Sequence, residues 1–587
     1  MPDSPNKDSV GVVTLKILSD GREIDDSVEV LSVLVSKKIN RIAAATLVLI
    51  DGDMPEQDFP LSNAQTFKPG AEIELKAGYG SGEHRLFKGI VVRHGIRIDG
   101  GSPSRLVVEC RDKAVAMTLG RKNANFVEAK DDAVIRTIIG NYSSVTSSVA
   151  STAAKHPELV QYYCTDWDFI LSRAEANGLL VLVDDGKVSV EAPELGSADL
   201  RVTYGEDLIE FDADIDARTQ LQEVKAVSWD SKQQQLDAQS AAAKPVTKQG
   251  NLKSGDLDQV LGLKSYRLQT NVPLESGFLK RWAESRQLKA DLARVRGRMR
   301  FQGSAKAKIG GVIELKGVGD RFNGDVYVTA VQQDISAGNW ITQVEFGLPE
   351  DWFAEQHQLI APAASALVPG VQGLQIGVVK KLHEDPENNY RVQVSVPLLQ
   401  AETEGVWARL AKFYASDGIG AFFIPEIGDE VVLGYLNSDP AHPVILGSLY
   451  SGKRKPPYQP EEQNNTKAIL TRSKLRVEFD EEKKVITIIT PAQNRVVLND
   501  DEKSILVQDQ NDNKVELKPA GILLSSPKDI EIKADGNISL TAVGDVSVEG
   551  MNVSSKANVA FSAEGSASAE LSSSGQTTVK GSMVMIN

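Results

Sequence analysis

Short apolar runs broken by turn residues fill the first hundred positions. Val12–Leu18, Glu29–Val35, Ala44–Ile50, Glu72–Gly78, Arg85–Arg97 and Leu106–Cys110 predict strands of a β-barrel or sandwich. Gly78, Gly80 and Gly82 lie between two of these strands and open no helix, so they predict a hairpin turn and not a phosphate loop. Thr165–Gly178 places Trp167, Ile170, Leu171 and Ala174 at helical spacing, with Thr165 and Asp168 as a capping box and Gly178 as the stop. Leu179–Ala192 reads as a hairpin around Asp185 and Gly186. Ser231–Asp256, rich in Gln, Ala, Lys and Ser without an apolar period, reads as a long surface loop. Gly277–Arg294 has helical spacing through Leu279, Trp282, Ala283, Leu288 and Leu292, and Arg298–Phe346 returns to strands, predicting a second small barrel. Ala354–Gly373 reads as a linker.

Gly405–Gly452 divides the chain. Its apolar runs Val406–Leu410, Ala421–Ile424, Glu430–Tyr435 and Val444–Leu449 alternate with turns at Pro425/Gly428 and Asn437–Pro440. With Arg391–Pro397 they predict a closed barrel of about five strands, the size of an OB-fold. Lys453–Thr466 is a proline-rich connector, and Lys474–Leu517 gives short alternating strands. From Asp529 a repeat runs DIEIKADG, NISLTAVG, DVSVEGM, NVSSKA, NVAFSAEG, with glycine closing three units at Gly536, Gly544 and Gly565. This predicts a β-helix or prism cored by Ile530, Ile532, Ile538, Leu540, Val546, Val548, Val553, Val559 and Phe561.

Each unit offers one or two such side chains, worth roughly 1.5–3 kcal/mol apiece when buried. Ordering about eight residues costs on the order of 1 kcal/mol each, so a single turn cannot stand alone. Several chains sharing one axis bury the inward face and pair every edge, and three suit these small groups. Met583, Val584, Met585, Ile586 and Asn587 set apolar groups at the last layer, which predicts a partner there.

At 587 residues the chain predicts three or four domains. No run of eighteen apolar residues is present, and MPDSPNKDSVGVV has neither the basic start nor the apolar core of a Sec leader, so cytoplasmic synthesis is expected. Cys110 and Cys164 are too few for a disulfide framework. A net charge of −15 disfavours nucleic acid. Arg294, Arg296, Arg298 and Arg300 alternate onto one strand face and predict a solvated or subunit-facing basic strip. Asp212, Asp214, Asp216 and Glu223 have calcium-loop spacing, but Ala217 stands where that loop needs glycine, so they read as acids on a strand face. The histidines (His84, His94, His156, His357, His383, His442) are scattered, and His442 reads as a turn residue. The adjacent acids Glu384 and Asp385 point to opposite faces of a strand and cannot easily flank one bond. With no zincin, nucleophile-elbow or Walker motif, no catalytic residue, metal or cofactor is expected.

The order of Trp407, Ala408, Arg409, Ile424, Pro425, Gly428, Asp429, Glu430, Val431, Asp439, Pro440, His442, Pro443 and Gly447, followed by Pro456 and Pro457, resembles the OB domain of VgrG-type spikes of contractile injection systems. These are related to the hub and cell-puncturing spike of contractile phage tails. Thr165–Gly178, Leu179–Ala192 and Glu223–Asp230 resemble the hub domain of that family more loosely. The resemblance implies a mainly β chain divided as 1–353 two-barrel hub, 354–373 linker, 374–452 OB barrel, 453–466 connector and 467–587 intertwined trimeric needle. It also implies a homotrimer without enzymatic activity, a PAAR-type tip protein, tube and baseplate contacts at the hub, and cargo effectors. Assembly into an injection particle that is released or delivered outside the cell, and transient contact with a target envelope, follow from it too. A phage-tail glycan or cell-wall hydrolase and a trimeric fibre adhesin are the competing readings.

Overall fold

The computed structural model describes residues 2–9, 11–101, 103–244, 246–356, 359–399 and 405–586. In the N-terminal half one thirteen-stranded sheet wraps two cores. Strands such as Ala44–Ile50 and Arg105–Arg111 turn every second side chain inward, which leaves Leu47, Leu49, Leu106 and Val108 out of contact with water. The second core lies under Val295–Gln302, Gly324–Ser336 and Asn339–Phe346 and is filled by Met299, Phe301, Val344 and Phe346. The two halves are not separate sheets. Val30–Lys38 pairs antiparallel with Gly324–Ser336, Ser36 opposite Gln332 and Leu34 opposite Asp334, so the second barrel predicted from Arg298–Phe346 shares its sheet with the first.

A buried polar node locks this junction. Gln333 Oε1 accepts from Trp340 Nε1 at 2.8 Å and from Thr342 Oγ1 at 2.6 Å, while Gln333 Nε2 donates to the Ser304 carbonyl at 3.0 Å. Trp340 stacks on Tyr79 of the first half with centroids 5.3 Å apart. Residue 303 must be glycine, since a Cβ there would lie 2.1 Å from Trp340 Cγ.

Helices Asp131–Gly140 and Asp166–Ala176 pack a third core around Ile135, Ile170, Val181 and Val188. The predicted cap is in place: Thr165 Oγ1 accepts from the Asp168 amide at 3.0 Å, and Gly178 stops the chain with φ +69°. The segment expected as a loop over Ser231–Asp256 instead holds strand Gln235–Ala242 and the start of helix Ser254–Leu261. The strand forms because Glu223–Asp230 supplies a full antiparallel ladder, and because small Ala241 fits beneath Leu279 and Ala283 of helix Ser276–Leu292. Local composition, poor in apolar residues, carries no sign of that long-range pairing.

Gln375–Lys381, Val392–Ser395, Val406–Leu410, Glu430–Tyr435 and Pro443–Leu449 close a five-stranded barrel over Val379, Val394, Ala408, Val431, Leu433 and Ile445. Beyond it, seven strands of five residues from Thr466–Leu470 to Gly521–Ser525 pair each with the next in an antiparallel meander. From 527 to 586 no strand ladder is present among the described residues. The chain there is extended and bends at 527–528, 535–536, 543–544, 551, 558–559, 566–567, 574–575 and 582–583, in steps of eight residues with one of seven. The repeat that reads unevenly in sequence therefore holds its period through the Ser- and Ala-rich stretch 566–576.

Replacing Gln333 by Leu strands the Trp340 N–H and the Thr342 hydroxyl in a dry interior, so Gln333→Leu is expected to destabilise the hub by about 2–4 kcal/mol. A lowered first thermal transition in calorimetry, with the barrel transition unmoved, checks this.

Candidate assembly surfaces

The barrel motif residues are turn and edge fittings. Gly428 takes φ +83°, and Asp429 accepts from the Glu426 amide at 2.8 Å and from Arg454 Nη1 at 2.6 Å, which ties the turn to the connector. Asp439 accepts from the Ala441 amide at 2.9 Å, with His442 Nδ1 3.2 Å from its carboxylate, so His442 does serve the turn. Pro440 lies in the same turn, and Pro443 starts the returning strand opposite Tyr435. Gly447 faces Val432 where the register slips, Glu430 faces Val378 and Leu449, and Trp407 faces Gln393. Arg409 is exposed on the barrel wall, and Pro425 leads into the turn.

The seven-stranded sheet has one apolar face. Cross-strand partners share a face, and two rows run across it. One is Ile469, Val477, Ile488, Val496, Val507, Val515 and Leu524; the other is Lys467, Phe479, Ile486, Leu498, Ile505, Leu517 and Ile522. One apolar residue from the first strand and two from each of the other six make thirteen on this face. Most are exposed. A groove of about 570 Å³ follows the first row from Ile488 to Ile530, where the repeat begins. The predicted needle residues Ile530, Ile532, Ile538, Leu540, Val546, Val548, Val553, Val559 and Phe561 are all exposed, as are Met583, Val584, Met585 and Ile586. Asn587 lies outside the described residues, as does His357. The apolar face itself was missed in the sequence. Its signal was available, because nearly every strand carries apolar residues at its second and fourth positions.

The polar clusters of the hub are spent on structure. Arg296, Arg298 and Arg300 stand across the ladder from Asp214, Asp212 and Glu210, and Arg300 Nη1 donates to Glu210 at 2.7 Å. Asp212 and Asp214 of the calcium-spaced acids thus face the basic strip across one strand pair, whereas Asp216 is held by Arg218 and Glu223 lies in another sheet. Arg294 departs from the expected strip. It is 3% exposed, precedes the strand and donates to the carbonyls of Leu252 and Gln249, because the bend at Asp291–Arg294 turns it under the 247–252 segment. Asp385 is gripped by Arg391 and Glu384 by Lys381, which leaves neither free for acid–base work. Cys110 is buried, and burial pushes its thiol up to about 12.

Asp131 is the most enclosed carboxylate of this group. It accepts from Arg173 Nε at 2.6 Å, Arg173 Nη2 at 3.1 Å and Asn177 Nδ2 at 2.8 Å, and lies 2.9 Å from His156 Nε2. Phe278 closes over the cluster, edge-on to His156 and under the Arg173 guanidinium. Burial alone would raise the carboxyl, but the bonds from His156 and Arg173 outweigh it and hold it well below the ordinary range. Nothing in local spacing betrays this site, since its members are scattered from 131 to 278.

The described residues form a thirteen-stranded sheet, a small closed barrel and an open seven-stranded strip. A family model described as the Alg8 N-terminal domain matches residues 9–337, more than half of the chain, and the chain belongs to that family. A second, described as the type VI secretion system/phage-baseplate injector OB domain, matches residues 375–450. The type VI secretion system spike protein VgrG1c of Pseudomonas aeruginosa is 33% identical over 109 residues, which is 17% of this chain and 15% of that protein. VgrG1b of the same organism is 28% identical over 189 residues, 30% of this chain and 25% of that protein. The chain thus spans a quarter or less of the length of these curated relatives. A 43 kDa tail protein of prophage MuSo2 from Shewanella oneidensis is similar with TM-score 0.44 and 9% identity, over 58% of this chain and 99% of that one. The VgrG-type resemblance read from the barrel residues is borne out by the injector OB-domain match and by the two VgrG relatives.

Asp131→Asn removes the buried charge that balances half-buried Arg173 and is expected to cost roughly 3–5 kcal/mol at pH 7. The folded carboxyl is lowered, so its stabilisation is complete above the unfolded value near about 4 and fades as pH falls below it. The gap in melting temperature between wild type and variant should therefore narrow between pH 6 and pH 3.

Proposed function

We propose that three copies of this chain form a hub and spike that does mechanical work in a contractile injection machine and carries no catalytic activity of its own. The observation that carries the proposal is the open apolar face from Ile469 to Leu524, continued by the unpaired bends from 527 to 586. A sheet with thirteen large apolar side chains toward solvent, followed by some sixty residues without a ladder, has no stable single-chain form in water. Three copies around one axis bury the face and supply every missing strand partner. The injector OB-domain match at 375–450 supports this reading.

In this reading the hub sheet meets tube and baseplate, and the needle breaches the target envelope. Met583, Val584, Met585 and Ile586 seat a PAAR-type tip protein, with cargo riding on the assembly. The chain is made in the cytoplasm and leaves only as part of the particle. The division into hub 1–353, linker, barrel 374–452, connector and needle 467–587 is retained as the working assignment. Lack of activity is supported by carboxylates committed to arginine and lysine partners and by the buried Cys110 thiol.

Light scattering of the purified full-length protein should give three times 63.5 kDa, and a folded monomer would sink the proposal. Ile488→Asp/Val507→Asp places charges on the shared face and should yield a monomer with an unchanged hub melting transition, because a buried, unpaired carboxylate costs several kcal/mol. Removing Met583–Asn587 should abolish co-purification of a PAAR-type partner while leaving the trimer intact.

A further inference from the structure

We propose that the segment Phe413–Ile427, with its hairpin Ala415–Gly420, is an arm that packs against the barrel of a neighbouring copy of this chain. The inference rests on the three-copy reading and assigns it a second contact, independent of the needle.

The hairpin is too short to hold itself. Its strands are two residues each, Ala415 opposite Gly420 and Ser416 opposite Ile419, and they join no other sheet. Only the Ala421 amide, donating to the Tyr414 carbonyl at 2.9 Å, extends the pairing. An isolated two-stranded hairpin is marginal in water. Yet its stem carries Phe413 at 89% and Phe422 at 86% exposure, with Tyr414, Phe423 and Ile419 also exposed. Three phenylalanines and a tyrosine within eleven residues, standing clear of their own barrel, form a patch of the kind that monomers do not leave open.

Two observations identify the occupant as another copy of the chain. First, the arm is anchored where the proposed threefold bundle starts. Arg472, just past the first strand of the meander, donates to Glu426 at 3.1 Å, and Arg454 donates to Asp429 at 2.6 Å and to the Ile427 carbonyl at 3.3 Å. The stem therefore hangs beside the base of the apolar face, where the copies converge. Second, the hairpin and its aromatic stem over 411–425 are electrically neutral in an acidic chain, the one further acid of the arm, Glu426, being paired with Arg472. Between Ala411 and Pro425 the charged residues are Lys412 and Asp417, whereas the whole chain carries −15. A neutral aromatic patch is a surface on which a copy can dock without the like-charge repulsion felt elsewhere on this molecule.

The test uses the full-length protein with p-benzoylphenylalanine in place of Phe422, and separately in place of Tyr390, a residue exposed in the loop between the first two barrel strands. The mass in solution is recorded before irradiation. The expected result is a three-chain species that, on irradiation, yields a covalent product of twice the chain mass at position 422 with at least about 10-fold more of it than at 390; both sites are exposed on the single chain and carry the same photochemistry, so the excess reports a neighbouring copy. A three-chain species with no excess at 422 overturns the arm but leaves the trimer. A monomer overturns both. An intrachain product at 422 shows the arm folding back on its own barrel and overturns the proposal.

Discussion

The apolar face of the C-terminal sheet lies largely open to water, and none of the described residues covers it. Each strand there is five residues long and contributes two inward side chains at most, so the sheet has width but no depth. A second layer is needed to make a core of it, and the chain supplies none: the 60 residues that follow are extended and equally uncovered. In the proposed three-copy assembly, association is part of folding for this fifth of the molecule, and the stability of the needle and the number of chains are one quantity, not two.

That requirement shapes what comes before it. The five-stranded barrel is a complete small domain with its own core, and its signature residues fasten turns instead of binding a ligand. Asp429 and Glu426 reach across to Arg454 and Arg472, so the barrel hands its orientation to the first strand of the sheet through two charge-assisted contacts. At the other end the hub is stiffened by one shared sheet and by Gln333, a side chain whose amide is fully used between two halves of the fold. A body that transmits force benefits from such junctions, because continuous ladders and filled polar nodes have no soft hinge.

Several groups that resemble chemistry turn out to be fasteners. Glu210 and Asp212 pair with Arg300 and Arg298 across adjacent strands, and Asp214 stands opposite Arg296. Asp131 is enclosed, ionised and saturated by donors, which holds helices Asp131–Gly140 and Asp166–Ala176 together and leaves it no lone pair for a substrate. In each case the partner that neutralises the group sits on a different element, so sequence spacing alone presents the charge without its answer.

What the sequence settled by itself was local: strands where apolar residues alternate, the Thr165–Gly178 helix with both ends marked, the turns of the barrel, and a C-terminal repeat too thin to stand alone. Those features depend on neighbours within a few residues, and the residues carry them openly. Counting apolar groups against ordered residues is also what leads to the proposal of several chains. The tertiary structure decided the rest. It merged two expected barrels under one sheet by pairing Val30–Lys38 with Gly324–Ser336, turned a polar stretch into strand Gln235–Ala242, and drew Arg294 inside. It also gathered seven strands so that their apolar positions fall on one open face. The first three outcomes depend on contacts between residues far apart in the chain, whose energy is long-range pairing and packing and leaves no trace in local spacing, whereas the apolar positions of the open face are visible strand by strand and only their alignment is long-range.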